Sequence, residues 1–552
     1  MAAIALRGVS YAYPGTTADV FDRVDLTLDS HWRTGIVGRN GRGKTTLLRL
    51  LAGQIRADEG ELTLPLAGRY FPQWPRDTGA DVLSVVRDAA GPYAELAREM
   101  RALEGNTDAA GLLRYGVVTE EFERLGGYTI DGRIAAEFAA LGLDARLLAR
   151  AFATLSGGEQ TRALIAALFL RADSFALIDE PTDHLDRDGR AQLAAYLRGK
   201  PGFLLASHDR QLLDDVADHL LVFTRTEMAV RRGGYSAWRA ERDDRGRREQ
   251  ADKARLGREI DVLERAAQQR REGALMREAD KAPHTDKGYI GHRAAKQMKR
   301  ALHIEQRAGA SIALRREQLR DFDKQRELRI HTTTNAGTLV RCTDVAIAVT
   351  TPSYTPAYTP AYTQAHTQME ARTLARHLTF EISARQRICV SGANGCGKTT
   401  MLEVVAGLRA PQHGVRQCKP GLRIALAAQQ PRWPDATLRG LAAREHLDET
   451  RLRQILGVLQ VSAADLDRPL ATLSAGQRKK VALACSLVVP ADLLIWDEPL
   501  NYLDIESRED IERAILGDTP TLLFVEHDRR FVEAVATHHL RLDGARPELT
   551  RV

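Results

Sequence analysis

Two glycine-rich segments carry the clearest chemistry in this sequence. GRNGRGKTT at 38–46 and GANGCGKTT at 392–400 each follow an apolar, strand-like run and open a helix-like one. In that context the backbone N–H groups of the loop and of the helix N-terminus surround phosphate oxygens, the lysine reaches the β- and γ-phosphates, and the first threonine binds Mg²⁺. The residues predicted to lie against a nucleotide are Gly38, Asn40, Gly41, Gly43, Lys44, Thr45, Thr46, Gly392, Asn394, Gly395, Gly397, Lys398, Thr399 and Thr400.

An apolar strand ending in two acidic residues follows each loop. The first acid is suited to hold Mg²⁺ at the end of a buried strand, and the second to orient and polarise an attacking water. These pairs are Asp179-Glu180 and Asp497-Glu498. His208 and His527 lie about 28 residues beyond them. Either histidine alone is more typical of a structural surface residue, but the matched positions favour contact with the γ-phosphate.

The two copies differ in length. From the loop lysine to the first acid is 135 residues in the first copy and 99 in the second, whereas from the serine of LSGG or LSAG to that acid is 23 residues in both. The surplus of 36 residues therefore precedes the serine, and the glutamine spacing places it at about 85–130. Its sequence predicts a helical arm, with a helical subdomain that has no partner of its own as the alternative.

Composition limits the class of protein. The 552 residues are 44% hydrophobic and 28% charged, a globular balance in a chain long enough for two or more domains. No apolar run is long enough to cross a membrane, and the first residues lack the pattern of a secretion signal. The five cysteines have no spacing suited to zinc or disulfides. A cytoplasmic protein with reduced thiols is predicted.

The segment between the copies is basic. Residues 231–330 hold 27 Lys and Arg against 17 Asp and Glu, a net charge of +10 in a chain of +6. Apolar residues at helical spacing predict helices over 236–275 and 291–328, each on the order of 60 Å long, with a hairpin tip at about 273–292. Such a surface favours a polyanionic partner, nucleic acid above all. A solvated helical face is the alternative interpretation of a charge run.

A Thr-Pro-Ala-Tyr repeat occupies 351–368. Its prolines are incompatible with a regular helix or a central strand. Residues 4–28 predict an edge hairpin in the first copy, and we predict that the repeat extends the corresponding hairpin of the second copy.

Further motifs carry a resemblance to a known family. LSGGEQ at 155–160 and LSAGQ at 473–477 are similar to the signature of ABC ATPases. Gln73 and Gln429 resemble its Q-loop glutamines, with Gln430 a less favoured alternative to Gln429. The residues that resemble its D-loop aspartates are Asp186 and Asp504.

Two such cassettes, a long charged linker, an arm in the first cassette and no membrane span together resemble the ABC-F family. The resemblance implies an α/β fold with two ABC-type P-loop nucleotide-binding domains in tandem, joined by a long α-helical hairpin linker. The expected domains are 1–230, 231–335 and 336–552.

The resemblance also implies a head-to-tail pairing of the cassettes within a monomer, enclosing two ATP molecules with Mg²⁺. ATP would close this pairing and hydrolysis would open it. The first implied site consists of Lys44, Thr45, Gln73, Asp179, Glu180 and His208 with Ser474 and Gly476. The second consists of Lys398, Thr399, Gln429, Asp497, Glu498 and His527 with Ser156, Gly157 and Gly158. The implied Mg²⁺ ligands are Thr45, Gln73, Asp179, Thr399, Gln429 and Asp497.

Two departures from the family pattern are visible. Ala475 replaces the usual glycine of the second signature, and PLNYLD at 499–504 replaces the commoner PTNHLD. The extra Cβ of Ala475 leads us to expect weaker ATP binding in the first site, so that the two sites are unequal.

The amino-acid sequence of residues 276–300 is similar to the linkers of antibiotic-resistance ABC-F proteins of the Lsa and Vga kind. Members of that kind bind the E site of the 70S ribosome, beside P-site tRNA, and act against lincosamides, pleuromutilins and group A streptogramins. The leading hypothesis is therefore ribosome protection. The basic residues expected to contact rRNA or tRNA phosphates are Arg293, Lys296, Lys299 and Arg300.

Three alternatives stay open from the sequence. A housekeeping ABC-F translation factor would act on stalled or initiating ribosomes without a drug. The ATPase subunit of a drug exporter would have little use for a basic linker of this length. A DNA-associated ATPase of the structural-maintenance type would need longer coiled coils or zinc hooks.

Overall fold

The computed structural model describes most of both cassettes and the first part of the linker. The described residues are 3–15, 19–75, 77–106, 108–171, 173–183, 185–224, 228–279, 328–331, 335–353, 368–393, 395–429, 433, 437–542 and 549–551.

The first cassette is built on a six-stranded sheet. Its strands are β3 Arg33–Gly38, β5 Ala67–Phe71, β6 Ser174–Asp179, β7 Phe203–Ala206, β8 His219–Phe223 and β9 Met228–Arg232. The order is β5-β6-β7-β3-β8-β9, parallel except for β9. The β6 and β7 strands are almost wholly buried, as expected for parallel strands covered on both faces. Parallel strands bring their carboxyl ends to one edge of the sheet. The predicted nucleotide-binding and catalytic residues come directly after these strand ends.

A second, antiparallel sheet lies at the edge of this cassette. It contains β1 Ala3–Tyr11, β2 Phe21–Asp29 and β4 Glu59–Thr63 in the order β2-β1-β4. The predicted edge hairpin is confirmed, because β1 and β2 pair antiparallel across Tyr11 and Phe21. Buried residues of β1 and of the helix after the P-loop belong to one hydrophobic cluster with β6, so this sheet covers that helix.

Helices complete the first cassette. They are α1 Lys44–Leu51, α2 Val82–Ala90, α3 Tyr93–Leu103, α4 Ala109–Arg124, α5 Ile130–Ala140, α6 Gly157–Leu168, α7 Arg187–Arg198 and α8 Arg210–Val216, with 3₁₀ turns at Ala145–Ala149 and Phe152–Thr154. The α3 and α4 helices lie within the segment 85–130 where the surplus of the first copy was expected. Leu112 and Leu113 of α4 are exposed.

The second cassette repeats this plan. Its strands are β10 Thr338–Ser353, β11 Gln368–Ser383, β12 Arg387–Ser391, β13 His413–Cys418, β14 Ile424–Ala427, β15 Leu493–Asp497, β16 Leu522–Val525, β17 His538–Arg541 and β18 Leu549–Arg551. The main sheet has the order β14-β15-β16-β12-β17-β18 and the edge sheet β11-β10-β13. Its helices are α10 Lys398–Ala406, α11 Leu438–Arg444, α12 Glu449–Val458, α13 Ala463–Leu466, α14 Ala475–Val488, α15 Ile505–Asp518 and α16 Arg529–Val535, with a 3₁₀ turn at Leu470–Thr472.

The Thr-Pro-Ala-Tyr repeat begins within the edge hairpin. β10 and β11 pair as far as Ser353 with Gln368, and Pro352 pairs with Met369. The third strand, β13, pairs with β10 only between Val340 and Ala346, so Pro352 lies where β10 has one neighbour. The remainder of the repeat, 354–367, lies outside the described residues.

The linker begins with one long helix, α9 Tyr235–Ala279, of 45 residues. β9 pairs with β8 as far as Arg232, which places the end of the first cassette sheet two residues beyond the predicted boundary at 230. Leu328 and Ile330 are buried in the core of the second cassette, earlier than the expected boundary at 335.

Several linker predictions fall outside the described residues. They are the second linker helix up to 327, most of the hairpin tip, and the four basic residues Arg293, Lys296, Lys299 and Arg300. In the predicted tip at 273–292, the described helix continues to Ala279.

Candidate nucleotide-binding sites

Each glycine-rich loop joins the end of a buried strand to a helix. Gly43 and Gly397, just before α1 and α10, have φ of 92° and 102°, a left-handed conformation that favours glycine. The Nζ of Lys44 donates to the Gly38 carbonyl at 2.6 Å, and that of Lys398 donates to the Gly392 carbonyl at 2.8 Å. Each ammonium is thus held inside its loop. Burial lowers the pKa of Lys44, and Glu180 opposes this effect. Asn394 lies outside the described residues.

In both copies the threonine and the aspartate of the predicted Mg²⁺ set lie in contact, whereas no contact joins Gln73 or Gln429 to them in the part of the chain that the structure describes. The Thr45 hydroxyl donates to Asp179 Oδ2 at 2.7 Å, and the Thr399 hydroxyl donates to Asp497 Oδ2 at the same distance. Asp497 Oδ1 is buried and has no hydrogen-bond partner among the described residues. A hydroxyl beside a carboxylate with an uncommitted oxygen is the donor set that Mg²⁺ prefers, so these residues fit the ion. Burial raises the pKa of both aspartates.

Glu180, which is partly buried, pairs with the buried His208 in the first site. Glu180 Oε2 accepts the His208 backbone N–H at 3.0 Å, and Glu180 Oε1 lies 3.3 Å from His208 Nε2. The same Nε2 lies 3.0 Å from Asn40 Oδ1 of the P-loop. Burial raises the pKa of Glu180 well above its usual value, and Asp183 and Asp179 raise it further. Burial also lowers the pKa of His208 well below its usual value.

The corresponding carboxylate of the second site has different partners. Glu498 Oε2 accepts from Gln429 Nε2 at 2.8 Å and from Asn501 Nδ2 at 2.6 Å. Its Oε1 lies 3.8 Å from His527 Nε2. Burial lowers the pKa of His527 to about 4. The Q-loop residue of the first cassette, Gln73, is exposed after β5.

Both acidic-pair glutamates have left-handed backbones, with φ of 48° at Glu180 and 47° at Glu498. Such conformations cost on the order of 1–3 kcal/mol for a non-glycine residue and persist where surrounding contacts enforce them. Here the next strand enforces them, because the Glu180 N–H donates to the Ala206 carbonyl and the Glu498 N–H to the Val525 carbonyl.

The first P-loop contacts the D-loop region of the second cassette. Asn40 Nδ2 donates to the Tyr502 carbonyl at 3.2 Å, and Arg39 pairs with Glu506. Asp504, one residue before α15, is 1% exposed and accepts from Lys480 Nζ at 3.0 Å.

The signature serines cap their own helices. Ser156 forms a reciprocal capping box with Glu159, and Ser474 forms one with Gln477. A Cβ on Gly476 would approach the Tyr502 carbonyl to 2.7 Å, and this carbonyl also accepts from Asn40. The second signature therefore reaches the first P-loop through one intervening residue. The structure does not bring either serine into hydrogen-bonding contact with the opposite P-loop among the described residues.

Ion pairs also join the cassettes beyond the phosphate loops. Arg210 of α8 pairs with Glu512 of α15 at 2.9 Å and lies 3.8 Å from Asp528. Arg530 pairs with Asp214. These side chains are largely buried, so the contacts hold a specific register between the two halves.

Sequence reasoning missed three polar residues at the sites. Tyr70 donates to Asp179 Oδ2 at 3.0 Å, Asn501 donates to Glu498, and Lys479 Nζ donates to the Asp497 carbonyl at 2.7 Å. Aligning the segments that follow the two acidic pairs could have identified Asn501 as a candidate site residue. Tyr70 and Lys479 have no such signal, because only folding brings them to the strand ends.

Among the helices that the structure describes, none is long and apolar enough to cross a membrane.

Comparisons with known proteins agree with this geometry. The ABC transporter family model matches residues 21–183 and 375–501. The tylosin resistance ATP-binding protein TlrC of Streptomyces fradiae is 32% identical, over 98% of this chain and 97% of that protein. The energy-dependent translational throttle protein EttA of Mycobacterium tuberculosis is 26% identical, over 95% and 89%. The archaeal ribosome recycling factor aABCE1, solved with the ribosomal stalk protein aP1, has a TM-score of 0.56 at 20% identity, over 97% and 87%, and shares the fold.

Two cassettes of this kind define an ATPase with tandem ATP-binding domains. The chain belongs to the ABC-F family. The predicted fold class, family and enzymatic activity are thereby confirmed. The individual site residues stay predictions.

Proposed function

We propose that this ATPase binds the 70S ribosome in its ATP-bound state, protects it from antibiotics acting at the peptidyl-transferase centre, and leaves after hydrolysis. The observation that carries the proposal is the likeness to a tylosin resistance protein, which extends over 98% of this chain and therefore includes the linker. Likeness to a translational throttle protein supports a translational setting.

The residues of each site have separate roles in ATP hydrolysis. Lys44 and Lys398 bind the phosphates, and the carboxylates of Glu180 and Glu498 orient a water and accept its proton. Mg²⁺, held by the threonine and aspartate of each site, would neutralise charge on the phosphates. Low pKa values keep His208 and His527 neutral near pH 7, so each can contact a γ-phosphate without adding a charge.

Helix α15 supports a link between the ATP sites and the linker. Asp504 caps its N-terminus beside the first site, where it accepts from the Ser507 N–H at 2.8 Å. Midway, Glu509 accepts from the hydroxyl of Tyr235, where α9 begins, at 2.7 Å. At its C-terminal end, Asp518 accepts from the Ile330 N–H at 2.7 Å. One helix thus contacts Tyr235 at the start of the linker helix and Ile330 where the second cassette begins, and movement at the cassette interface would reach both.

The linker charge supports an RNA partner. Its net charge of +10 is suited to phosphate contacts, which release counterions and weaken as salt rises. Arg293, Lys296, Lys299 and Arg300 are proposed to contact rRNA or P-site tRNA.

The test is ribosome pelleting with the double variant Glu180→Gln/Glu498→Gln. We expect it to bind ATP without hydrolysing it and to sediment with 70S ribosomes when ATP is present but not with ADP. The matched control is Lys44→Ala/Lys398→Ala, which should neither hold ATP nor pellet. Failure of the glutamine variant to pellet while it still binds ATP would contradict a ribosome function.

Drug protection needs a separate measurement. Purified wild-type protein is added to cell-free translation inhibited by tylosin, a lincosamide, a pleuromutilin or a group A streptogramin. Restored synthesis with at least one drug is expected. Ribosome binding without any restoration would instead favour the housekeeping translation factor.

A further inference from the structure

The two sites differ at the third position after the acidic-pair glutamate. Asn501 occupies it in the second copy and donates its amide to Glu498 Oε2 at 2.6 Å. Asp183 occupies it in the first copy. The backbone is the same in both, since Asp183 N–H points to the Glu180 carbonyl and Asn501 N–H to the Glu498 carbonyl, each at 3.4 Å. The difference therefore lies in the side chain.

The residue before the histidine differs as well. Glu526 precedes His527 and accepts its backbone N–H at 2.8 Å. Ser207 precedes His208, and its hydroxyl accepts from the Asp209 N–H instead. The His208 N–H is therefore available to Glu180, which it binds at 3.0 Å. The two glutamates consequently point to different donors: a strand-end N–H in the first site and two side-chain amides in the second.

A buried lysine fixes one of those amides. Lys479 Nζ donates to the carbonyls of Ala428, Gln429 and Asp497 at 3.0, 3.3 and 2.7 Å. It ties the Q-loop to the end of β15, so that Gln429 lies against Glu498. The residue at the same position of the first signature helix is Thr161, which is too short to span the same gap.

We propose that Asn501 is a positioning residue for Glu498 and that Asp183, at the matched position, leaves Glu180 without this support, so that the second site hydrolyses ATP faster than the first. The proposal rests on the proposed role of the two glutamates as the water-orienting carboxylates.

Electrostatics and geometry give the reason. When one oxygen of a carboxylate accepts two amide hydrogens, the side chain is held in a single rotamer. Its other oxygen then points away from these donors and is positioned to bind the attacking water. An ionised aspartate has only acceptor oxygens, so it cannot donate to a neighbouring carboxylate and repels it. An asparagine at 183 would supply the missing donor with almost no change of volume.

The experiment isolates each site in the full-length protein. Glu180→Gln leaves only the second site active, and Glu498→Gln leaves only the first. In the Glu180→Gln background, Asn501→Asp should lower kcat for ATP about tenfold, with KM changed less than twofold. In the Glu498→Gln background, Asp183→Asn should raise kcat at least threefold. Asp88→Asn, an exposed acid of α2, serves as the matched charge control and should change neither.

The possible results distinguish failure of the positioning role of Asn501 from failure of the roles proposed for the two glutamates. Unchanged kcat in either arm, or a change confined to KM, would overturn the positioning role. An equal loss from Asn501→Asp in the Glu498→Gln background would also overturn it, because a general structural defect would act there too. If Glu180→Gln/Glu498→Gln still hydrolysed ATP at the wild-type rate, the assignment of the glutamates would fail, and the positioning role with it.

Discussion

The buried pair between Asp504 and Lys480 offers a sharp test of what holds the second cassette together. Asp504 is 1% exposed and Lys480 is 4% exposed, and the ammonium lies 3.0 Å from the carboxylate. Asp504 also caps α15 by accepting from the Ser507 N–H. Asp504→Ala removes the cap and leaves a buried ammonium without its counter-charge.

The magnitude follows from these two losses. Breaking a buried ion pair by removing one partner costs about 3–5 kcal/mol, and losing an aspartate cap costs about 1 kcal/mol. We expect Asp504→Ala to lower the unfolding free energy of the second cassette by about 4–6 kcal/mol. The double variant Lys480→Met/Asp504→Ala should recover about 3 kcal/mol, because no buried charge remains.

The first cassette provides the matched control. Asp186 caps α7 through the Gly189 N–H at 2.9 Å and is only partly buried. Arg162, at the position of Lys480, donates to the Leu141 carbonyl and to Gln192. Asp186→Ala should therefore cost about 1 kcal/mol, the value of the cap alone.

The assay must resolve the two cassettes, because a two-domain chain does not unfold in one step. Hydrogen exchange during urea titration does so: peptides covering β15 report the second cassette and peptides covering β6 report the first. A cost for Asp504→Ala within 1 kcal/mol of that for Asp186→Ala would refute the reasoning.

The pH dependence supplies an independent check. Burial would raise the pKa of Asp504, but Lys480 and the Ser507 N–H outweigh it, so the pKa is depressed. A carboxyl group whose pKa is depressed in the folded state stabilises the fold at pH values above its ordinary pKa of about 4. This stabilisation is lost as the pH falls from there through the depressed pKa. The cost of Asp504→Ala should shrink accordingly in acid.

Two further outcomes are expected. Burial raises the pKa of Glu526 to about 7, so the native state holds an extra proton between about pH 4.5 and 7. The unfolding free energy of the protein therefore falls as the pH rises through that window. Glu526→Gln should remove this pH dependence of the unfolding free energy, measured in urea titrations at several pH values. Gly476→Ala would press a Cβ against the Tyr502 carbonyl, at a cost of about 1–3 kcal/mol, and should lower the steady-state ATPase rate about tenfold. Gly457→Ala, which meets open space, should leave that rate unchanged.

The sequence by itself determined the fold class and the chemistry. Spacing did this, because a glycine loop between a strand and a helix, followed by an acidic pair at a strand end, has few structural solutions. The difference in spacing between the copies also located the helices α3 and α4, and the proline-containing β10–β11 hairpin lies at the predicted edge.

Only the tertiary structure decided which side chains meet. Tyr502 reaches Asn40 across 462 residues of sequence, and Arg210 reaches Glu512 across 302. No local pattern encodes such contacts, because they depend on how two separately folded sheets pack. The same holds for the donors of Glu498: a glutamine of the Q-loop and an asparagine of the acidic-pair loop converge on one carboxylate only after folding. The sequence therefore predicted two sites made unequal by Ala475, and only the packing showed that Glu180 and Glu498 have different hydrogen-bond donors.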